Sequence, residues 1–280
     1  MIKIAENSKI FAVLPILLAF SLLVSGQAFA WTINSNFESG TVGSLAQGTS
    51  GFDYAASRTT FASGVANSGS KSAKMAWQAG DEGFSSCTGQ FNFPSAVTNG
   101  GEVWARGYFY FASPWTWSSA GGGYKIIKIF RLLSNSGGMD SIFADSDGAV
   151  VLSNEPAQVQ TVLNAPMDIG KWQCLEIYVK ASSSSGIIRI WKNGVLVGES
   201  VGPYTLASSS NVLNGVYVMS QWNSGPSQSQ TQYLDDFVIT TDKPSNVDAK
   251  GNAMIGPIGW TGGGSGGTAS LTAPANLKVN

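Results

Sequence analysis

Arg106, Tyr108 and Tyr110 alternate with apolar residues in EVWARGYFYF, Glu102 to Phe111. A strand there carries them with Trp104 on one face and Val103, Ala105, Phe109 and Phe111 on the other. Aromatic rings lie well against the C–H faces of pyranoses, and a guanidinium offers a two-pronged fork to a carboxylate, so this face suits an acidic sugar. It equally suits a solvated or loop-covered face with Arg106 in an ion pair. Trp115 and Trp117, in SPWTWSSAGGGY, are either ligand-facing loop tryptophans or a plug at the end of a sandwich. In GVYVMSQWN, Val216 and Val218 oppose Tyr217, Met219, Gln221 and Asn223. The two amides there fit sugar hydroxyls or strand-end hydrogen bonds. Lys128 lies in YKIIKIFRLL, where apolar residues fill both parities, so the faces of Lys125, Lys128 and Arg131 stay open.

Histidine is absent, which removes every mechanism that needs an imidazole base or a His-ligated metal. Only 12% of the residues are charged and the formal net charge is −1, so no polyanion-binding field exists and nucleic acid is excluded as a partner. Gly121-Gly122-Gly123 lacks the Gly-Lys-Ser/Thr that a phosphate loop requires. Asp145-Ser146-Asp147-Gly148 resembles the start of a calcium loop but has no completing glutamate, and a hairpin turn accounts for it.

The elements that must position these residues are strands. Gly170 to Gly194 is the clearest stretch, with Gln173, Leu175, Ile177 and Val179 on one face and Trp172, Cys174, Glu176, Tyr178 and Lys180 on the other. Ile188 and Ile190 alternate with Arg189 and Trp191, and Asn193-Gly194 supplies a tight hairpin turn before Val195-Leu196-Val197. Asp147-Gly148 marks a second hairpin, and YLDDFVIT, Tyr233 to Thr240, reads as a closing strand. No segment between Trp31 and Gly256 carries a helical period, so the fold is expected to be all-β.

Lys3 and Lys9 precede an apolar run from Ile10 to Val24 that ends in Ala28-Phe29-Ala30. This is the pattern of a secretory signal peptide over residues 1–30, leaving a mature chain with no membrane span, placed in the periplasm or outside the cell. Residues 31–260 then form one domain, and 261–280 a Gly/Ser-rich linker with a disordered tail. Export makes a disulfide between Cys87 and Cys174 a candidate; the alternative is two separate buried thiols.

The order EVWARGYFYF, YKIIKIFRL, GKWQCLEIYVK, GIIRIWKNGVLV, GVYVMSQWN, YLDDFVIT resembles concanavalin A-like jelly-roll domains over residues 100 to 240. Within that group it is most similar to secreted polysaccharide lyases of the glucuronan and alginate type. The resemblance implies two antiparallel sheets, one bent into a groove for an extracellular polysaccharide, with the Asp-Asp strand in the other sheet. It also implies an aspartate of the closing strand, Asp235 or Asp236, as a candidate ligand for a structural calcium; no cofactor is required otherwise. For β-elimination, Arg106, Lys128, Gln221 and Asn223 are candidates to neutralise a uronate carboxylate, and Tyr108, Tyr110, Tyr178 and Tyr217 to move protons. Such lyases commonly carry a histidine, which this chain lacks.

The related glucanases place catalytic acids in an E-x-D-x-E pattern, but here Glu176 is followed by Tyr178 and Lys180. Asp235 and Asp236 are adjacent, so on a regular strand they point to opposite faces. The leading expectation is therefore a carbohydrate-binding sandwich, with Arg106, Tyr108, Tyr110, Trp115, Trp117, Glu176, Tyr178, Tyr217, Gln221 and Asn223 contacting the sugar. A lyase using Arg106, Lys128, Tyr178 and Tyr217, and a structural or adhesive surface protein, are the alternatives. The sequence leaves the oligomeric state open.

Overall fold

A computed structural model describes residues 30–82, 84–121 and 127–261. The expected signal peptide, Lys125 and the tail beyond Thr261 lie outside them. The fold is all-β, with one short helix among the described residues, α1 (Phe84–Cys87). Among the described residues no helix is long and apolar enough to cross a membrane.

Among the described residues fifteen strands form two antiparallel sheets. The first contains β1 (Thr32–Ser35), β3 (Thr59–Ser63), β4 (Lys71–Trp77), β6 (Glu102–Phe111), β11 (Trp172–Lys180), β12 (Ile187–Lys192), β13 (Val195–Val201) and β15 (Gln230–Thr240). Their order is β13-β12-β11-β6-β15-β4-β3, with β1 added along the far end of β15. The second contains β2 (Tyr54–Ala55), β5 (Gly89–Val97), β7 (Ile127–Ser134), β8 (Met139–Ala144), β9 (Ala149–Asn154), β10 (Val159–Pro166) and β14 (Leu213–Trp222). These run in the order β10-β9-β8-β7-β14-β5-β2. The Asn193-Gly194 turn joins β12 to β13, with both residues at the positive φ values such a turn demands, and Asp145 closes the β8–β9 turn by accepting from the Asp147 and Ala149 amides.

The core lies between the sheets and follows the alternation of the sequence. Val103, Ala105, Phe109 and Phe111 from β6 and Leu175, Ile177 and Val179 from β11 meet Ile127, Phe130, Leu132, Val216 and Val218 from the other sheet. Trp115 and Trp117 belong to this core. They are buried against Phe111 and Trp222, with ring centroids 4.8 to 5.8 Å apart, and plug one end of the sandwich.

Of the β-bulges among the described residues, three bear on the expected site residues. In β7 the register slips between Lys128 and Phe130, so Ile129 and Phe130 both enter the core and Lys128 and Arg131 emerge on the same outer face. In β14 the slip falls between Val218 and Gln221, where Met219 has φ +48° and turns into the core, contrary to the strict alternation expected for it. In β15 the slip lies between Asp235 and Val238, with Asp236 at φ +47°. Asp235 and Asp236 consequently address the same loop rather than opposite faces. Asp235 accepts from the Asn67 and Ser68 amides at 2.8 and 3.2 Å, and Asp236 accepts from the Asn67 carboxamide and the Ser68 hydroxyl, both at 2.8 Å. The oxygens proposed for calcium are those that fasten this loop.

The disulfide expectation fails: Cys87 and Cys174 are both free and buried. Cys87 ends α1 within the core between the sheets, whereas Cys174 shares the outer parity of Glu176 on β11, so a sheet separates them. Burial pushes both thiols up to about 12, and a protonated thiol is a poor nucleophile. Neither should react with a thiol reagent until the protein unfolds, when two equivalents should be consumed; labelling of the native protein would contradict this placement.

Candidate functional site

Apart from Trp115 and Trp117, which the core takes, the expected site residues divide between the outer faces of the two sheets. Arg106, Tyr108, Glu176 and Tyr178 lie on the first, where residues 245–260 of the same chain cover them. Glu176 is 1% exposed and accepts from the amides of Ile255 at 2.6 Å and Gly256 at 2.8 Å. Arg106 donates to the Gly256 carbonyl at 3.2 Å and the Asp236 carbonyl at 3.1 Å, and the Tyr108 hydroxyl accepts from the Ile258 amide at 2.7 Å. The Trp104 indole donates to Ala253, and the Trp191 indole to the Asp248 carboxylate. Met254 and Ile255 then pack with Trp104, Tyr178 and Trp191 in a second apolar cluster. This strap occupies the groups that the sequence offered to a sugar: Tyr178 donates to Glu102, and only Tyr110 remains half-open, against Trp172 and Tyr233.

Burial raises Glu176 to about 7, opposed by the Gly256 and Ile255 amides and by Arg106. Burial, and next the charge of Asp236, raises Asp235 to about 7 against its own amide bonds. Both values lie above those of an unfolded chain, near 4, so the native state holds protons that the unfolded state releases. That contribution is complete below about pH 4 and disappears as pH rises through 7. The Tm difference between wild type and Asp235→Asn should therefore move in the variant's favour from about pH 5 to pH 8; a constant difference would contradict it.

Lys128, Tyr217 and Gln221 lie on the outer face of the second sheet, joined by Arg131, which sequence reasoning left unplaced. The strand register brings them together: Lys128 is opposite Gln221, and Arg131 opposite Tyr217, across β7 and β14. The Lys128 ammonium donates to the Gln221 carbonyl oxygen at 3.1 Å, sits 3.9 Å from Glu155 and lies over the Phe143 ring at 5.7 Å. Arg131 grips Glu155 through bonds of 2.9 and 3.2 Å, and the Tyr217 phenol acts on it electrostatically. Burial, then repulsion from Arg131, lowers the pKa of Lys128 against the pull of Glu155. Asn223 is half-buried just beyond the end of β14.

The register extends this face toward β5 and β2. Arg131, Tyr217, Gln90 and Tyr54 form one row, and Leu133, Gly215 and Asn92 the next. Gly215 puts no side chain between Leu133 and Asn92. A depression of about 380 Å³ lies there, lined by Gln90, Asn92, Asn135, Asn214, Met139 and Tyr217 among others. Tyr54, Gln90, Asn92 and Glu155 carried no signal in the sequence, because β2 is two residues long, β5 is irregular and Glu155 lies in the turn after β9. Among the described residues no group of three or more potential metal-ligand side chains occurs.

Two antiparallel sheets packed face to face give the chain a β-sandwich fold, which it shares with solved glucuronan and alginate lyases. The solved structures it resembles include an endo-β-1,4-glucuronan lyase from the fungus Trichoderma reesei, at 15% identity and a TM-score of 0.52 over 75% of this chain and 98% of that one. The alginate lyase Aly36B matches at 15% identity and a TM-score of 0.54 over 74% and 96% of the two chains. An alginate lyase from Chlorella virus matches at 11% identity and a TM-score of 0.50 over 65% and 88%. No protein-family model and no curated protein sequence matches the chain.

Proposed function

We propose that this protein recognises an acidic polysaccharide on the outer face of the second sheet, and that its N-terminal segment delivers it outside the cytoplasm to meet that polymer. The observation that carries the reading is the juxtaposition of Lys128 with Gln221 and of Arg131 with Tyr217 across two central strands. Lys128 and Arg131 exceed the single negative charge of Glu155 by one unit, and this partly desolvated excess attracts a carboxylate more strongly than an exposed lysine does, with Gln221 and Tyr217 placed to orient it through directed hydrogen bonds. The likeness in fold to proteins that act on glucuronan and alginate supports the choice of polymer class.

A second reading, cleavage by β-elimination, is favoured by the lowered pKa of Lys128, one row along the sheet from Tyr217. Arg131 and Gln221 would neutralise the uronate carboxylate, making the C5 proton acidic. Lys128 in its neutral form would take that proton as the C4–O bond breaks, a C4=C5 double bond forms, and Tyr217 protonates the leaving oxygen. The test is to incubate the protein with a panel of uronans while following both bound polymer and the ultraviolet absorbance of an unsaturated product. Binding without absorbance supports recognition alone, binding with absorbance adds elimination, and neither signal on any acidic polymer would overturn the proposal.

A further inference from the structure

On the outer face of the second sheet the cations Lys128 and Arg131, with Glu155 shared between them, lie to one side. Lys128 and Arg131 occupy two neighbouring rows, and the next row opens into the depression, whose lining contains no charged side chain. Successive rows on one face of a strand are about 6.6 Å apart, close to the length of one sugar unit. The two positions can therefore hold adjacent or neighbouring units of one polymer.

Their chemistry differs. The Gln90 amino group donates to the Asn92 carbonyl oxygen at 2.7 Å and the Asn135 carbonyl oxygen accepts from the Val212 amide at 3.0 Å, which leaves the Gln90 carbonyl oxygen, the amino groups of Asn92 and Asn135 and the Asn214 carboxamide to pair with hydroxyls and acetamido substituents, which both donate and accept. A carboxylate placed among them finds no cation to offset its lost hydration. The charge bordering the depression has the wrong sign as well: Asp53 accepts from the Asn92 amide at 2.7 Å. Tyr217 stands between the two positions, paired with Arg131 on one side and Gln90 on the other.

We infer that the polymer recognised here is a heteropolysaccharide in which a uronate, held at Lys128 and Arg131, is joined to an uncharged or N-acetylated sugar seated in the carboxamide-lined depression. This rests on the reading of the face as an acidic-polysaccharide site and narrows it. A chain made wholly of uronate satisfies only the cationic position.

Titration of the purified protein with oligosaccharides of alternating glucuronate and N-acetylglucosamine, and with oligoglucuronate of equal length in the same salt, tests the inference. The alternating oligomer is expected to bind at least tenfold tighter. Asn214→Lys, at an exposed position on the rim, should narrow that ratio at least fivefold by supplying a cation to the second position. Equal or tighter binding of oligoglucuronate, or an unchanged ratio in Asn214→Lys, would overturn the inference while leaving the face as the site. If neither oligomer binds, or if Lys128→Ala binds both as wild type does, the face itself is wrong and the inference falls with it.

Discussion

Glu176→Ala is expected to lower Tm by roughly 5 to 20 °C. Its carboxylate is the one acceptor for the amides of Ile255 and Gly256, and all three groups are buried. Each buried amide left without a partner costs about 1–3 kcal/mol, and a domain of this size loses about 2–4 °C of Tm per kcal/mol. Arg106, which adds its positive charge to the same pocket, loses its opposite charge in the variant. The damage should be local before it is global. Hydrogen exchange within residues 245–260 should accelerate first, exposing Trp104 and Trp191, while affinity for acidic polymer stays bound to the other sheet. A Tm within 2 °C of wild type would show that the strap is not held as described.

Lys128→Ala is expected to weaken binding of an acidic polysaccharide by roughly 10- to 100-fold. A charge-assisted hydrogen bond contributes about 1.5–3 kcal/mol, and each 1.4 kcal/mol is a factor of ten in Kd. The substitution also frees the Gln221 carbonyl oxygen, now an acceptor with no donor to orient it, and leaves Glu155 opposed by Arg131 alone. Should elimination occur, the rate of product formation should fall further than the affinity, since the group that takes the proton is gone. Binding within twofold of wild type would remove Lys128 from the site. Lys128 is half-buried on a face already open at Tyr217, so the fold should tolerate its loss.

The strands were legible because each face of the sandwich has its own solvent environment and the sequence records it with period 2. EVWARGYFYF and WQCLEIYVK form β6 and β11 with the faces their alternation assigns. The site was much less legible, and bulges are the reason. A residue inserted at Ile129 breaks the alternation between Lys128 and Arg131, so parity counting separates two cations that the sheet unites, whereas the slip at Met219 turns that residue inward and leaves Tyr217 and Gln221 on the face their parity assigns. The mixed apolar parities of YKIIKIFRLL were the trace of that bulge. Arg106, Tyr108, Glu176 and Tyr178 had the cleaner pattern and went elsewhere, because alternation identifies an outward face without saying what lies on it. Here the cover is an irregular segment, and irregular backbone has no period to read.

The pinning of that segment also has a directional consequence. Trp260 packs against Gly194 and donates to Val247, so the described chain leaves the domain beside the β12–β13 turn, on the sheet away from Lys128 and Tyr217. A surface or carrier coupled at Thr261, where the described chain ends, would hold the molecule by its back. The cationic face would point outward into the medium, free to meet a polymer too large to diffuse to it.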